Sequence, residues 1–174
     1  MIGRWYARYW HKGKKIMEME KEVYLILHNI RSLHNVGSLF RTADAAGVAG
    51  IILTGYTSKP ISALGYVRPE IAKTALGAEH VVSWKYKKSI RNVVCQLKKE
   101  GVSVVALEQG EQAVDYRAYV PAYPMALIVG NEVRGLSKAL QKQCDTVIHI
   151  PMRGVKESLN VSVAGGIALF ELMR

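Results

Sequence analysis

Apolar positions along this chain fall in short blocks, separated by stretches whose polar residues recur with a helical period. VYLILH (23–28), GIILTG (50–55), VVSWKY (81–86), VSVVALE (102–108), MALIVG (125–130) and TVIHIP (146–151) are short runs dominated by aliphatic and β-branched residues. Runs of that kind form strands covered on both faces. Between them, residues 35–46, 69–76, 88–100, 136–143 and 160–173 carry helical patterns. The clearest is 88–100, where Ile90, Val93, Val94 and Leu97 share one face and Gly101 ends the run. Pro60, Gly65 and Pro69 mark a loop ahead of 69–76. Strands alternating with helices predict an α/β domain on a six-stranded, mostly parallel sheet flanked by helices.

No linker, repeat or low-complexity tract interrupts residues 23–174, which are expected to form one domain. Residues 1–22 differ. Arg4, Arg8, Lys12, Lys14 and Lys15 precede any acid and alternate with Trp5, Tyr6, Tyr9 and Trp10. Two readings stand for this basic aromatic extension. One is an RNA-binding arm, in which rings stack on bases and cations meet phosphates. The other is a loosely ordered tail, with the domain starting near Met17 or Met19.

Charge narrows the partners. The chain carries 24 Lys and Arg against 14 Asp and Glu, a formal net charge of +10. An excess of that size favours a polyanion, nucleic acid ahead of an anionic membrane surface. The plainer alternative is solubility alone. The two cysteines, Cys95 and Cys144, make neither a disulfide framework nor a metal spacing, which fits a reducing, cytoplasmic setting. No apolar run is long enough to predict a membrane span. The basic N-terminal stretch lacks the apolar core of a secretory signal. His11, His28, His34, His80 and His149 are scattered, so no metal site is expected.

In open α/β sheets, ligands bind beyond the carboxyl ends of the strands. Three segments following predicted strands combine glycines with amide, hydroxyl and charged side chains: HNIRSLHNVGSLFRTADAAGV (28–48), GNEVRGLS (130–137) and PMRGVKESLNVSVAGG (151–166). The common nucleotide and hydrolase signatures GxGxxG, GxxxxGK[ST] and GxSxG are absent from the sequence.

In that order, these segments resemble the three motifs of the TrmH/SpoU class of the SPOUT superfamily of RNA methyltransferases. Motif one is NIRSLHNVGSLFRTADAAGV, motif two LIVGNEVRGLS and motif three IPMRGVKESLNVSVAGGIALFEL, so the resemblance spans residues 23–174. It implies a deep C-terminal trefoil knot, a rare exception to ordinary chain topology. It implies a homodimer formed through the first and last helices. It also implies S-adenosylmethionine as cofactor and transfer of its methyl group to a ribose 2′-hydroxyl of tRNA or rRNA. A non-catalytic RNA-binding or ribosome-assembly protein on the same fold is the rival reading, distinguished by whether the donor binds.

Residue by residue, the resemblance assigns catalytic positions to Arg41, Asn35, Glu132, Ser158 and Asn160. Free arginine is a poor base. Arg41 therefore has two open roles: activating the hydroxyl, or orienting RNA phosphate while stabilising alkoxide charge. Asn35 either caps its helix or holds Arg41 and the ribose. Glu132 positions the reacting groups or complements the sulfonium. Ser158 and Asn160 cap the last helix or shape the site. Leu107, Gly130, Ile150, Met152 and Leu159 are the expected cofactor-binding residues. Arg31, Arg41, Arg134, Arg153 and Lys156 are expected to form a basic rim for RNA phosphates.

Overall fold

A computed structural model describes residues 21–62 and 64–174. The basic aromatic arm considered above falls almost wholly outside the described residues.

The elements run β1 (Val23–His28), α1 (Leu33–Ala46), β2 (Gly50–Thr54), α2 (Pro69–Ala75), α3 (Ala78–Val81), β3 (Trp84–Lys87), α4 (Ile90–Lys99), β4 (Ser103–Leu107), β5 (Val114–Asp115), β6 (Met125–Val129), α5 (Lys138–Gln141), β7 (Thr146–His149) and α6 (Val161–Leu172). The strands form one sheet in the order β3-β2-β1-β6-β4-β7-β5. Every strand pair in it is parallel.

The sheet has seven strands, not the six expected. The extra strand, β5, is two residues long and joins the edge through Val114 opposite Ile148 and Asp115 opposite His149. Two residues carry no readable alternation, so only the partner strand reveals it. The third predicted strand also shifts. Val81 ends helix α3, and the strand begins at Trp84. Gly77, at φ +94°, turns the chain into that helix, and the buried Glu79 carboxylate accepts the Gly77 N–H at 3.0 Å.

Alternation along the strands builds two cores. Val23, Leu25 and Leu27 of β1 and Met125, Leu127 and Val129 of β6 face α1, α2 and α6. Ile26, Val104, Ala106, Ala126 and Ile128 face the other way, onto Ile90, Val93, Val94 and Leu97 of α4. The apolar face read from residues 88–100 is thus the buried face of α4. Burial of such aliphatic side chains, about 1.5–3 kcal/mol each, is what holds the three layers together.

The strand order positions the site. From β1 the chain builds outward through β2 to β3, then returns to the opposite side of β1 for β6, β4, β7 and β5. The reversal leaves a crevice at the carboxyl ends of the strands, where all three motif segments emerge. Among the described residues, no helix is long and apolar enough to cross a membrane.

Candidate active site

A cavity of about 160 Å³ opens beyond the carboxyl ends of β4, β6 and β7. Its apolar walls include Leu107, Val129, Ile150, Met152, Leu159 and Val161, and its polar walls include Glu108, Gln109, Asn131, Glu132, His149 and Ser158. All five residues expected to bind a cofactor therefore line one space, although 52 positions separate Leu107 from Leu159. Gly130 permits the tight return of the loop after β6. A Cβ there would lie 2.7 Å from Leu136 Cδ2 and 2.8 Å from the Gly135 carbonyl carbon. The walls are tied to one another. Glu108 accepts the N–H of Leu136 at 2.5 Å and that of Gln109 at 3.0 Å. Gln109 donates its amide to the Ile150 carbonyl at 2.9 Å, joining the ends of β4 and β7.

Beside the cavity, the three motif segments meet in a hydrogen-bonded network centred on Glu132. Its carboxylate accepts the backbone N–H of Arg31 at 3.0 Å, that of Ser32 at 2.9 Å and the side-chain amide of Asn35 at 2.9 Å. Burial pushes the Glu132 pKa up, but these donors outweigh it and hold the carboxyl below its ordinary value. Asn160 donates to Asn35 Oδ1 at 3.1 Å, bringing motif three into the same network. Asn131 secures the loop: its amide nitrogen reaches Asn29 O, Tyr56 OH and Glu132, while its oxygen accepts the N–H groups of Val133 and Arg134.

The capping alternatives resolve differently. Asn35 does not cap α1. That helix starts at Leu33, and Ser32 accepts the Asn35 N–H as its cap. The Asn35 side chain is therefore free to serve Glu132 and Asn160. Asn160 does cap α6, accepting the Ser162 N–H at 2.9 Å, and its amide still reaches Asn35. Ser158 lies on the cavity wall and makes no cap.

Arg41 is not brought to this network. It lies exposed on α1 and is not among the residues lining the cavity. Its neighbour Thr42 packs on α6, 3.5 Å from where a Cβ would sit on Gly166. The side chains of Arg31, Arg134, Arg153 and Lys156 are exposed. The backbone amides of Arg31 and Arg134 join the Glu132–Asn131 loop network, whereas Arg153 and Lys156 lie on the irregular stretch after β7.

Residue reading missed Glu108, Gln109, Asn131 and His149. Each stands at or just beyond a strand's carboxyl end, and that position was the available signal. Among the described residues, no three His, Cys, Asp or Glu side chains gather as a metal-binding group.

An all-parallel sheet with a mixed apolar and polar cavity at its crevice, walled by polar loops from distant segments, defines a class: an α/β protein built to bind a small molecule there. The family model described as the SpoU rRNA Methylase family matches residues 22–170, and the chain belongs to that family. It is 36% identical over 160 residues to the 23S rRNA (guanosine-2′-O-)-methyltransferase RlmB of Vibrio parahaemolyticus, covering 91% of this chain and 62% of that protein. It is 37% identical to the protein of the same name from Shewanella oneidensis, over 86% of this chain and 58% of the relative. Among solved structures, an AdoMet-bound rRNA methyltransferase from Sinorhizobium meliloti superposes with a TM-score of 0.78 at 34% identity, covering 87% of this chain and 55% of that one. The A. aeolicus TrmH/SpoU tRNA modifying enzyme superposes with a TM-score of 0.77 at 28% identity, covering 88% and 75%. The chain thus spans about 58–62% of the length of the two RlmB relatives.

Proposed function

We propose that the protein is an S-adenosylmethionine-dependent methyltransferase acting on a ribose 2′-hydroxyl of tRNA or rRNA. The observation that carries the reading is the cavity at the ends of β4, β6 and β7, opening beside the Asn35–Glu132–Asn160 network. Family membership and the AdoMet-bound neighbour support it. The RlmB relatives are 23S rRNA methyltransferases, which favours ribosomal RNA as the target.

The residues present fit the donor. Leu107, Ile150, Met152 and Leu159 offer apolar surface for an adenine ring, and the backbone around Gly130 and Ile150 offers groups for its polar edges. The Glu132 carboxylate lines the same cavity and favours a positively charged ligand. S-adenosylmethionine supplies an electrophilic methyl group on a sulfonium. What the protein contributes is placement of the attacking hydroxyl and stabilisation of charge developing on its oxygen. Asn35, Ser158 and Asn160 are the groups we assign to hold the ribose beside the donor, with Glu132 fixing Asn35. Arg41 is assigned to the RNA phosphate and the developing alkoxide. Arg31, Arg134, Arg153 and Lys156 form the phosphate-binding rim.

A homodimer is part of the same reading. Val163, Ile167 and Phe170 repeat along α6 and are 49%, 37% and 56% exposed. An apolar stripe at that spacing suits a second helix. Arg41, adjacent to Thr42 at the α1–α6 contact, would then stand at the edge of the dimer face. Residues 23–174 as the catalytic domain, the C-terminal knot and a cytoplasmic location complete the proposal and rest on kinship with bacterial RNA methyltransferases.

Incubation with radiolabelled S-adenosylmethionine and total bacterial RNA tests the reading. Label is expected in RNA, at a ribose whose 3′ bond resists alkali. Failure of the protein to bind the donor by calorimetry would favour the non-catalytic RNA-binding rival.

A further inference from the structure

We infer that Tyr56 is a base-stacking platform for the RNA, and that Lys59, Lys87 and Lys88 take the phosphates of the same strand. The inference rests on the RNA-directed reading above and extends it to a surface none of the three motifs includes.

Tyr56 lies just beyond the carboxyl end of β2, and its residue surface is 59% exposed. Exposed tyrosines are common; what sets this one apart is that it is held at both ends. Its backbone N–H donates to Asn29 Oδ1 at 3.1 Å, and its hydroxyl accepts from the Asn131 amide at 2.9 Å. The preceding residue is fixed as well. Tyr86 donates its hydroxyl to the Gly55 carbonyl at 2.6 Å. Gly55 has φ +66°, and a Cβ there would lie 1.9 Å from Asn29 Oδ1, so only glycine allows this approach. A ring pinned through its tip and its backbone loses little freedom when a ligand covers it. That property suits an anchor for a flat partner.

The placement points to RNA. Asn131, which holds the Tyr56 hydroxyl, also reaches Glu132, so the ring stands two side chains from the centre of the polar network. On its other side, Gly55 N–H donates to the Lys88 carbonyl, and Lys87 pairs in register with Thr54. Both lysines are exposed. Lys59 lies with its ammonium 4.8 Å from the centre of the Tyr86 ring. The sequence carries no acid between Asp44 and Glu70 and none between Glu79 and Glu100, so the two segments forming this surface are free of carboxylates. A fixed exposed ring with exposed lysines on the adjoining backbone suits single-stranded nucleic acid, bases on the ring and phosphates on the lysines.

The test compares Tyr56→Ala, Tyr56→Phe and Tyr56→Trp. The first readout is the affinity of a fluorescein-labelled, mixed-sequence single-stranded RNA dodecamer. The second is the split between KM for RNA and kcat in the methyl-transfer assay. Tyr56→Ala is expected to weaken dodecamer binding and raise KM by about 5- to 150-fold, the range of one base–aromatic stack, with donor affinity unchanged. Phe and Trp keep a ring and are expected to stay within about threefold of the parent. Replacing Lys59, Lys87 and Lys88 together by Gln should reduce the slope of log affinity against log salt by about two.

Tyr56→Phe as damaged as Tyr56→Ala would mean that the hydroxyl acts structurally through Asn131, and would overturn the inference. So would Tyr56→Ala with parental dodecamer affinity and KM. Methyl transfer to RNA together with an indifferent Tyr56 sinks this inference alone. A parent protein that binds no RNA sinks both it and the functional reading.

Discussion

The side-chain amide of Asn35 donates to Glu132 Oε1 at 2.9 Å across 97 positions of sequence. The same asparagine accepts from Asn160 at 3.1 Å, across 125 positions. One side chain thus joins all three motif segments, and the geometry of each depends on the other two.

The Glu132 carboxylate gives that junction a pH dependence. Its folded pKa lies below the ordinary 4.5 because three donors from the α1 entry favour the charged form over the cost of burial. A depressed carboxyl pKa contributes stability that is fully present above the unfolded value and disappears as pH falls through the folded one. Glu132→Gln should therefore cost about 1–2 kcal/mol at neutral pH. The gap between parent and variant should close as pH drops below 4.5. Urea melts of both proteins between pH 3 and 7 measure it, and a gap independent of pH would contradict the account.

Arg41 stands outside the cavity of its own chain. Arg41→Ala should accordingly leave the calorimetric affinity for S-adenosylmethionine unchanged while lowering methyl transfer by about 100-fold or more. Undiminished turnover would remove Arg41 from the reaction.

Packing of α1 on α2 requires Gly37. A Cβ there would lie 2.2 Å from Thr74 Oγ1 and 2.3 Å from the Ile71 carbonyl oxygen, which is backbone and cannot swing aside. Gly37→Ala should destabilise by about 2 kcal/mol, a fall in Tm of about 4–8 °C. A calorimetric Tm equal to the parent's would show that the helices separate at no cost.

If two copies pair through α6, charge on its exposed stripe should prevent it. Phe170→Glu and Ile167→Asp are expected to give monomers in sedimentation velocity with unchanged circular dichroism, because Phe170 and Ile167 are surface residues of the single chain. A parent protein that sediments as a monomer would refute the pairing itself.

The two thiols should differ in reactivity. Cys95 is exposed on α4. Cys144 is half-buried, and burial together with the adjacent Asp145 pushes its pKa up to about 11. Since the thiolate is the nucleophile, iodoacetamide at pH 8 should modify Cys95 rapidly and Cys144 slowly, as read by mass spectrometry of the digested protein.

Most of the fold is legible in the sequence. Ile90, Val93, Val94 and Leu97 share a face because a helix repeats every few residues, and that face is buried. What escaped was whatever lacked local periodicity. Val114–Asp115 is a strand only because β7 lies beside it. The valines of VVSWKY looked strand-like, yet Val81 is 55% exposed at the end of α3. At the site, the motif resemblance pointed to Leu107, Gly130, Ile150, Met152 and Leu159, which line one cavity. It did not point to Glu108, Gln109 or Asn131, which hold that cavity's walls in place.

By itself, then, the order of residues determined five of the six helices, nearly all the strands, the α/β class and the three polar segments at strand ends. Those follow from hydrophobic period and turn chemistry, which act over a few residues. Only the tertiary structure decided that Asn35 serves Glu132 while Ser32 caps the helix, that Arg41 lies away from its own chain's cavity, and that Tyr56 is pinned beside the network. Hydrogen bonds act over about 3 Å, and which groups come that close is set by how distant segments pack.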